Sequence, residues 1–118
     1  MNNNLPKLIF CACKYTEIHT YLIQRNIHNA TYWVQEVALL GGMPLCPAMI
    51  GANLEGVQSY TWWGDAYINL LRRCDAVFMV PGYERSNGAT KEETEALALG
   101  MPVFYRLADL KGWLDAQN

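Results

Sequence analysis

From Asp75 to Val103 the chain alternates two kinds of pattern, and that alternation narrows the possible folds more than any other feature. Ala76-Val77-Phe78-Met79-Val80 is an unbroken apolar run. A Pro81-Gly82 break follows, then a stretch of helix formers closed by Gly100, then a second apolar run after Met101-Pro102. An apolar run without polar alternation fits a strand covered on both faces. A helix between two such strands is a crossover, and a crossover makes the strands parallel. In sheets of this kind ligands sit beyond the carboxyl ends of the strands. Here that place holds the loop with Gly82, Ser86, Asn87, Gly88 and Ala89, and the first helical turns with Glu92.

The same reading extends along the chain. Strands are expected over residues 7–12, 44–47, 76–80 and 102–105. Helices are expected from about residue 29 to 40, from 57 to 73, from Gly88 to Gly100, and over 108–116. Ala30, Trp33, Val37 and Leu40 set the period of the first helix, and Gly41-Gly42 stops it. Residues 48–56 read as a polar, mobile loop that shapes specificity. The pattern predicts one α/β domain over 1–118, a doubly wound parallel sheet in Rossmann or flavodoxin style. Order 2-1-3-4 places a switch point between strands one and three. Their ends carry Cys13-Lys14-Tyr15 and Pro81-Gly82-Tyr83, and a ligand crevice is expected between them.

Composition removes several classes of function. At a net charge of −2 nothing favours a nucleic-acid polymer as partner. No apolar run is long enough to span a membrane. The start, Met1-Asn2-Asn3-Asn4-Leu5-Pro6, lacks the basic and apolar regions of a signal peptide, so a cytoplasmic protein is expected. Cys11, Cys13, Cys46 and Cys74, with His19 and His28, do not form ligand pairs at metal spacing. The cysteines read as buried free thiols in a reducing compartment, with Cys11 and Cys13 on one face of the first strand. No Walker loop, GxGxxG or His-based triad is present, and no metal or cofactor is expected.

Glu92 stands out on its helix. Positions 89, 92, 96 and 99 share a stripe, and the stripe reads Ala89, Glu92, Ala96, Leu99. Burial there would raise the carboxyl pKa, while the helix N-terminus would lower it. Acids also favour first turns on dipole grounds alone, and Thr90 with Glu93 fits a capping box. Lys91 and Glu95 fit an i,i+4 ion pair. Ser86 fits an N-cap or turn as well as a ligand contact. Asp65 shares a helix face with Asn69 and Arg72, which reads as solvent-facing. Asp75, at the head of the third strand, reads as structural. Trp62 and Trp63 offer surfaces on which a base could stack.

Four segments carry a resemblance: Cys74-Asp75-Ala76-Val77, Pro81-Gly82-Tyr83, Ser86-Asn87-Gly88-Ala89-Thr90-Lys91-Glu92, and Ala98-Leu99-Gly100-Met101-Pro102-Val103. Together they resemble the nucleoside 2-deoxyribosyltransferase superfamily, in particular a small-protein branch common in phage and bacteria. The resemblance implies that Glu92 is a nucleophile that attacks the anomeric carbon, releases the base and forms a glycosyl-enzyme ester. Ser86 corresponds to the position that binds phosphate in deoxynucleoside 5′-monophosphate N-glycosidases, where the transferases carry Asp. Tyr15 corresponds to the aromatic that helps to position the nucleophile, although Cys13-Lys14 replaces the usual Gly-Pro before it. The family's second carboxylate falls at Tyr67, and Asp65, two residues earlier, is the nearest substitute. Gly82, Asn87, Gly88 and Ala89 complete the implied substrate-binding loop.

The implied activity is an N-glycosidase or deoxyribosyltransferase acting on a nucleoside or its 5′-monophosphate, in a homo-oligomer of two or more chains. Two alternatives stay open. One is a non-catalytic protein that senses or sequesters a nucleotide-derived ligand. The other is an oligomeric scaffold with no ligand.

Overall fold

A computed structural model describes residues 5–117. β1 (Leu8–Ala12) leads to α1 (Thr20–Leu39), β2 (Met43–Leu45) and the short α2 (Pro47–Gly51). α3 (Tyr60–Arg72), β3 (Ala76–Met79), α4 (Asn87–Ala98), β4 (Val103–Phe104) and α5 (Leu107–Ala116) follow, with one 3₁₀ turn at Tyr83–Arg85. The strands form one parallel sheet in the order β2-β1-β3-β4, as the pattern predicts. The fold is a doubly wound α/β sheet of Rossmann or flavodoxin type.

Alternation along the strands divides the core in two, because successive side chains leave a strand on opposite faces. Ile9, Cys11, Phe78 and Val80 pack with Val37 of α1 and with Leu110 and Leu114 of α5. Phe10, Ala12, Val77 and Met79 pack with Leu71 of α3 and with Ala89 and Ala96 of α4. The lower ends of β1 and β3 are tied by a reciprocal pair. Leu8 N–H donates to Asp75 Oδ2 at 2.7 Å, and Asp75 N–H donates to the Leu8 carbonyl at 2.8 Å. Asp75 is structural, as expected.

Three boundaries differ from the sequence reading. α1 begins at Thr20, not near residue 29. Ile23, Ile27, Ala30, Val34 and Val37 do lie at helical spacing. However, the N-cap is His19, whose side chain makes no capping bond, so the usual start signal is missing. Pro47 opens α2 rather than ending a strand, since a fixed φ and a missing N–H suit the first helical position. The expected loop 48–56 is therefore partly helical. α3 starts after Ser59, whose Oγ accepts from Trp62 N–H at 3.1 Å, and not at residue 57.

α4 ends as its sequence implies. Gly100 adopts φ +72°, a value that L side chains rarely take. Its N–H donates to the Leu97 carbonyl, and Met101 N–H donates to the Ala96 carbonyl, a Schellman closure that turns the chain into β4.

Candidate active site

One cavity of about 740 Å³ opens at the carboxyl ends of β1 and β3. That volume is in the range of small-ligand sites. Three stretches form most of its wall, residues 13–17 after β1, parts of 51–68 including α3, and 85–92 at the start of α4, and Ile23 of α1 and Pro47 of α2 add to it.

The N-terminus of α4 supplies one wall. Ser86 is its N-cap, and Ser86 Oγ accepts from Ala89 N–H at 3.1 Å. That bond uses the oxygen as acceptor and leaves the hydroxyl proton free to donate. The amides of Asn87 and Gly88 have no partner among the described residues, as befits the first turn of a helix. Because Ser86 is the cap, the Thr90–Glu93 capping box does not form. Thr90 Oγ1 instead donates to the carbonyls of Ser86 and Asn87, and Glu93 accepts from Tyr105 OH at 2.6 Å. The Lys91–Glu95 pair is also replaced: Glu95 Oε2 lies 2.7 Å from Arg72 Nη2 of α3, and Lys91 lines the cavity.

Glu92 lies one turn into α4 and lines the same cavity. Ala89, Glu92 and Ala96 are all buried, so the stripe holds, while Leu99 is half-exposed at the helix end. At 8% exposure Glu92 is the one charged residue among the buried residues of the described chain. Its carboxylate makes no hydrogen bond among the described residues, and its oxygens are open to the cavity rather than sealed in the core. Burial, with a contribution from nearby Cys46, pushes its pKa up from an ordinary 4.5 to about 8. Desolvation thus outweighs the helix terminus.

The opposite wall is aromatic. Trp63 stacks on Tyr67 with ring centroids 5.6 Å apart. Tyr67 OH donates to the Pro47 carbonyl at 3.1 Å, and burial pushes its phenol up to about 12. Trp62 meets Trp63 edge-on and is not part of the lining. At the mouth, Lys14 Nζ donates to the Arg85 carbonyl at 2.9 Å, which joins the segment after β1 to the loop before α4.

Glu92, Tyr15, Asp65, Ser86, Asn87, Gly88 and Ala89 all line this cavity. Gly82 does not. It takes φ +99° at the start of the 3₁₀ turn, so it shapes the loop without forming the wall. Asp65 is exposed. Tyr15 OH donates to Glu55 Oε2 at 3.2 Å, so its hydroxyl is directed to Glu55 and not to Glu92. Glu55 and Cys13 also line the cavity, within the loop expected to shape specificity and the strand end where the crevice was expected, although neither was singled out as a site residue. Glu55 lies in a stretch without periodicity, and Cys13 reads simply as a buried thiol.

Residues 24–105 match the family model described as a domain of unknown function, DUF4406. The chain belongs to that family. The DUF4406 region takes in α1 from Gln24, the wall over 51–68 and the whole Ser86–Glu92 segment. Cys13 to Ile23 on the near wall precede it. No curated protein sequence matches the chain.

Proposed function

We propose that the cavity is the active site of an N-glycosidase or deoxyribosyltransferase that acts on a nucleoside 5′-monophosphate or nucleoside. One observation carries this reading. Glu92 is a buried residue whose carboxylate makes no hydrogen bond among the described residues, and it lines a ligand-sized cavity one turn from helix-terminal amides that are free among those residues. A carboxylate held that way suits attack on an electrophilic carbon. The likeness of Ser86-Asn87-Gly88-Ala89-Thr90-Lys91-Glu92 to the deoxyribosyltransferase superfamily supports the same role.

In this mechanism the Glu92 carboxylate forms a bond to the anomeric carbon as the bond to the base breaks. The base leaves with the bonding electrons and takes up a proton. Water, or a second base, then displaces Glu92 from the glycosyl ester with net retention. Ser86 OH and the Asn87 and Gly88 amides bind the phosphate. Lys14, Arg85 and Lys91 add positive charge around the cavity. Trp63 and Tyr67 stack on the base. The proton comes from the rim, where Asp65, Glu55 and Glu17 are the carboxylates besides Glu92.

A cytoplasmic homo-oligomer belongs to the same reading. Exposed apolar side chains at Ile18, Tyr21 and Leu39, and at Val57, Tyr60 and Trp62, support association between copies. No helix among the described residues is long and apolar enough to cross a membrane.

The test is release of free base from a panel of nucleosides and of ribo- and deoxynucleoside 5′-monophosphates, read by chromatography. Release that requires Glu92 is the expected result. Release from nucleosides but not monophosphates would remove the phosphate role of Ser86. One observation favours a binding protein instead: Tyr67 occupies the place of the second carboxylate, and Asp65 is exposed. Calorimetric binding of a monophosphate with no base released would select that alternative.

Gly88 separates ligand contact from folding. Its φ is not positive, and an added Cβ would meet only Ser86 Oγ, at 3.8 Å. Gly88→Ala is therefore expected to fold normally, with stability unchanged or raised by up to about 1 kcal/mol. The methyl group would occupy space beside the free amides. Monophosphate affinity is expected to fall by about tenfold, some 1.4 kcal/mol. Calorimetry and urea unfolding give the two readouts. Unchanged affinity would mean that no ligand approaches this backbone.

A further inference from the structure

Cys13 and Cys46 lie 33 positions apart in sequence, yet their sulfurs are 3.2 Å apart. Cys13 follows β1, and Cys46 sits between β2 and α2. Both are buried, at 7% and 3% exposure, and both are free thiols. Cys13 also lines the cavity, so a small solute can reach the pair from the site. The other two thiols are differently placed. Cys11 donates to the Ile9 carbonyl and Cys74 to the Leu70 carbonyl.

We propose that Cys13 and Cys46 are a redox modification site, a dithiol that closes reversibly into a disulfide in the wall of the cavity when it meets a hydroperoxide. The remaining separation supports this, since a disulfide needs about 2.05 Å and the sulfurs need to approach by only about 1 Å.

Either sulfur can donate in the hydrogen bond between the two thiols. With Cys13 as donor and the Ala48 and Met49 amides adding support, Cys46 is held below the usual thiol range and Cys13 well above it. Cys46 is the sulfur that ionises first and attacks. Its thiolate displaces hydroxide from hydrogen peroxide and becomes a sulfenic acid. Cys13 sulfur then attacks Cys46 sulfur, and the departing hydroxide takes the Cys13 proton and leaves as water. In total two thiols are oxidised by two electrons, and one peroxide is reduced to two waters. A dithiol reductant reverses the bond by exchange.

Closure would join the segment leading into Lys14 and Tyr15 to the start of α2, whose Pro47 carbonyl holds Tyr67. It would also replace an ionisable thiol near Glu92 with a neutral disulfide. The oxidation state of the pair would thereby reset the shape of the site and the groups that line it.

The experiment does not depend on the reaction proposed above. Intact protein is treated with limiting hydrogen peroxide, quenched by alkylation under denaturing conditions, and mapped by mass spectrometry with and without reduction. The expected result is loss of two of the four thiols, a single linked peptide pair joining Cys13 to Cys46, and full reversal by dithiothreitol. A Cys13→Ser variant should instead leave a sulfenic acid on Cys46 that a diketone probe captures. Links through Cys11 or Cys74, disulfides between chains, or oxygen addition to wild type without a Cys13–Cys46 link would overturn the proposal. The wild-type map decides the matter even if the variant does not fold.

Discussion

Glu92→Gln is expected to abolish base release while making the folded chain more stable in mildly alkaline buffer. Amide cannot act as the nucleophile, so turnover should fall by about 10³-fold or more. The stability change follows from the proton. Folded Glu92 holds its proton up to about pH 8, whereas its ordinary pKa is 4.5. Between those values the folded chain carries a proton that the unfolded chain has lost. Stability therefore falls as pH rises through this window, by at most about 1.4 kcal/mol per pH unit. Glutamine, being always neutral, removes that slope. At pH 5 the two proteins should differ little, and at pH 9 the variant should be more stable by a few kcal/mol. Urea midpoints at both pH values measure this. For the wild type, kcat/KM should climb toward pH 8, because only the ionised carboxylate attacks. Identical pH profiles for wild type and variant would show that Glu92 is not the buried acid described here.

Phe78→Ala is expected to cost about 3–5 kcal/mol. Phe78 is fully buried on β3, opposite Cys11 of β1 and Phe104 of β4, with its ring 6.2 Å from that of Trp33 on α1. Deleting the ring opens a void where a strand flanked on both sides and a helix restrict collapse. Domains of this size are stable by only about 5–15 kcal/mol, so much of the margin would go. Chemical unfolding followed by far-ultraviolet dichroism reads the loss. Phe78 packs toward α1 and α5, away from Glu92, so variant that remains folded in the cold should keep its ligand affinity. A cost below about 1 kcal/mol would contradict the packing described.

Much of this was legible in the sequence because the signals are local. The apolar run 76–80 and the Gly-Met-Pro stop at Gly100 fix β3, α4 and β4 within a residue or two. The burial of Ala89, Glu92 and Ala96 could be read from helical spacing alone. The start of α1 could not, since His19 gives no capping signal. Pro47 was ambiguous because proline suits both a strand edge and a first helical turn. Contacts between distant segments were out of reach. Tyr15 meeting Glu55, Arg72 taking Glu95 from Lys91, and Cys13 meeting Cys46 all depend on the packing of whole elements. Periodicity carries no information about such meetings.

The cavity walls come mostly from three stretches that only the finished sheet brings together. An occupant touching all three can bind the native chain but has no site on an unfolded one, so binding and folding are thermodynamically linked. At a hundredfold excess over its Kd such a molecule would add about 2.7 kcal/mol to the stability of the native chain. The heat-denaturation midpoint therefore serves as a substrate detector that presupposes no chemistry, and a compound library can be ranked on it before any turnover has been seen.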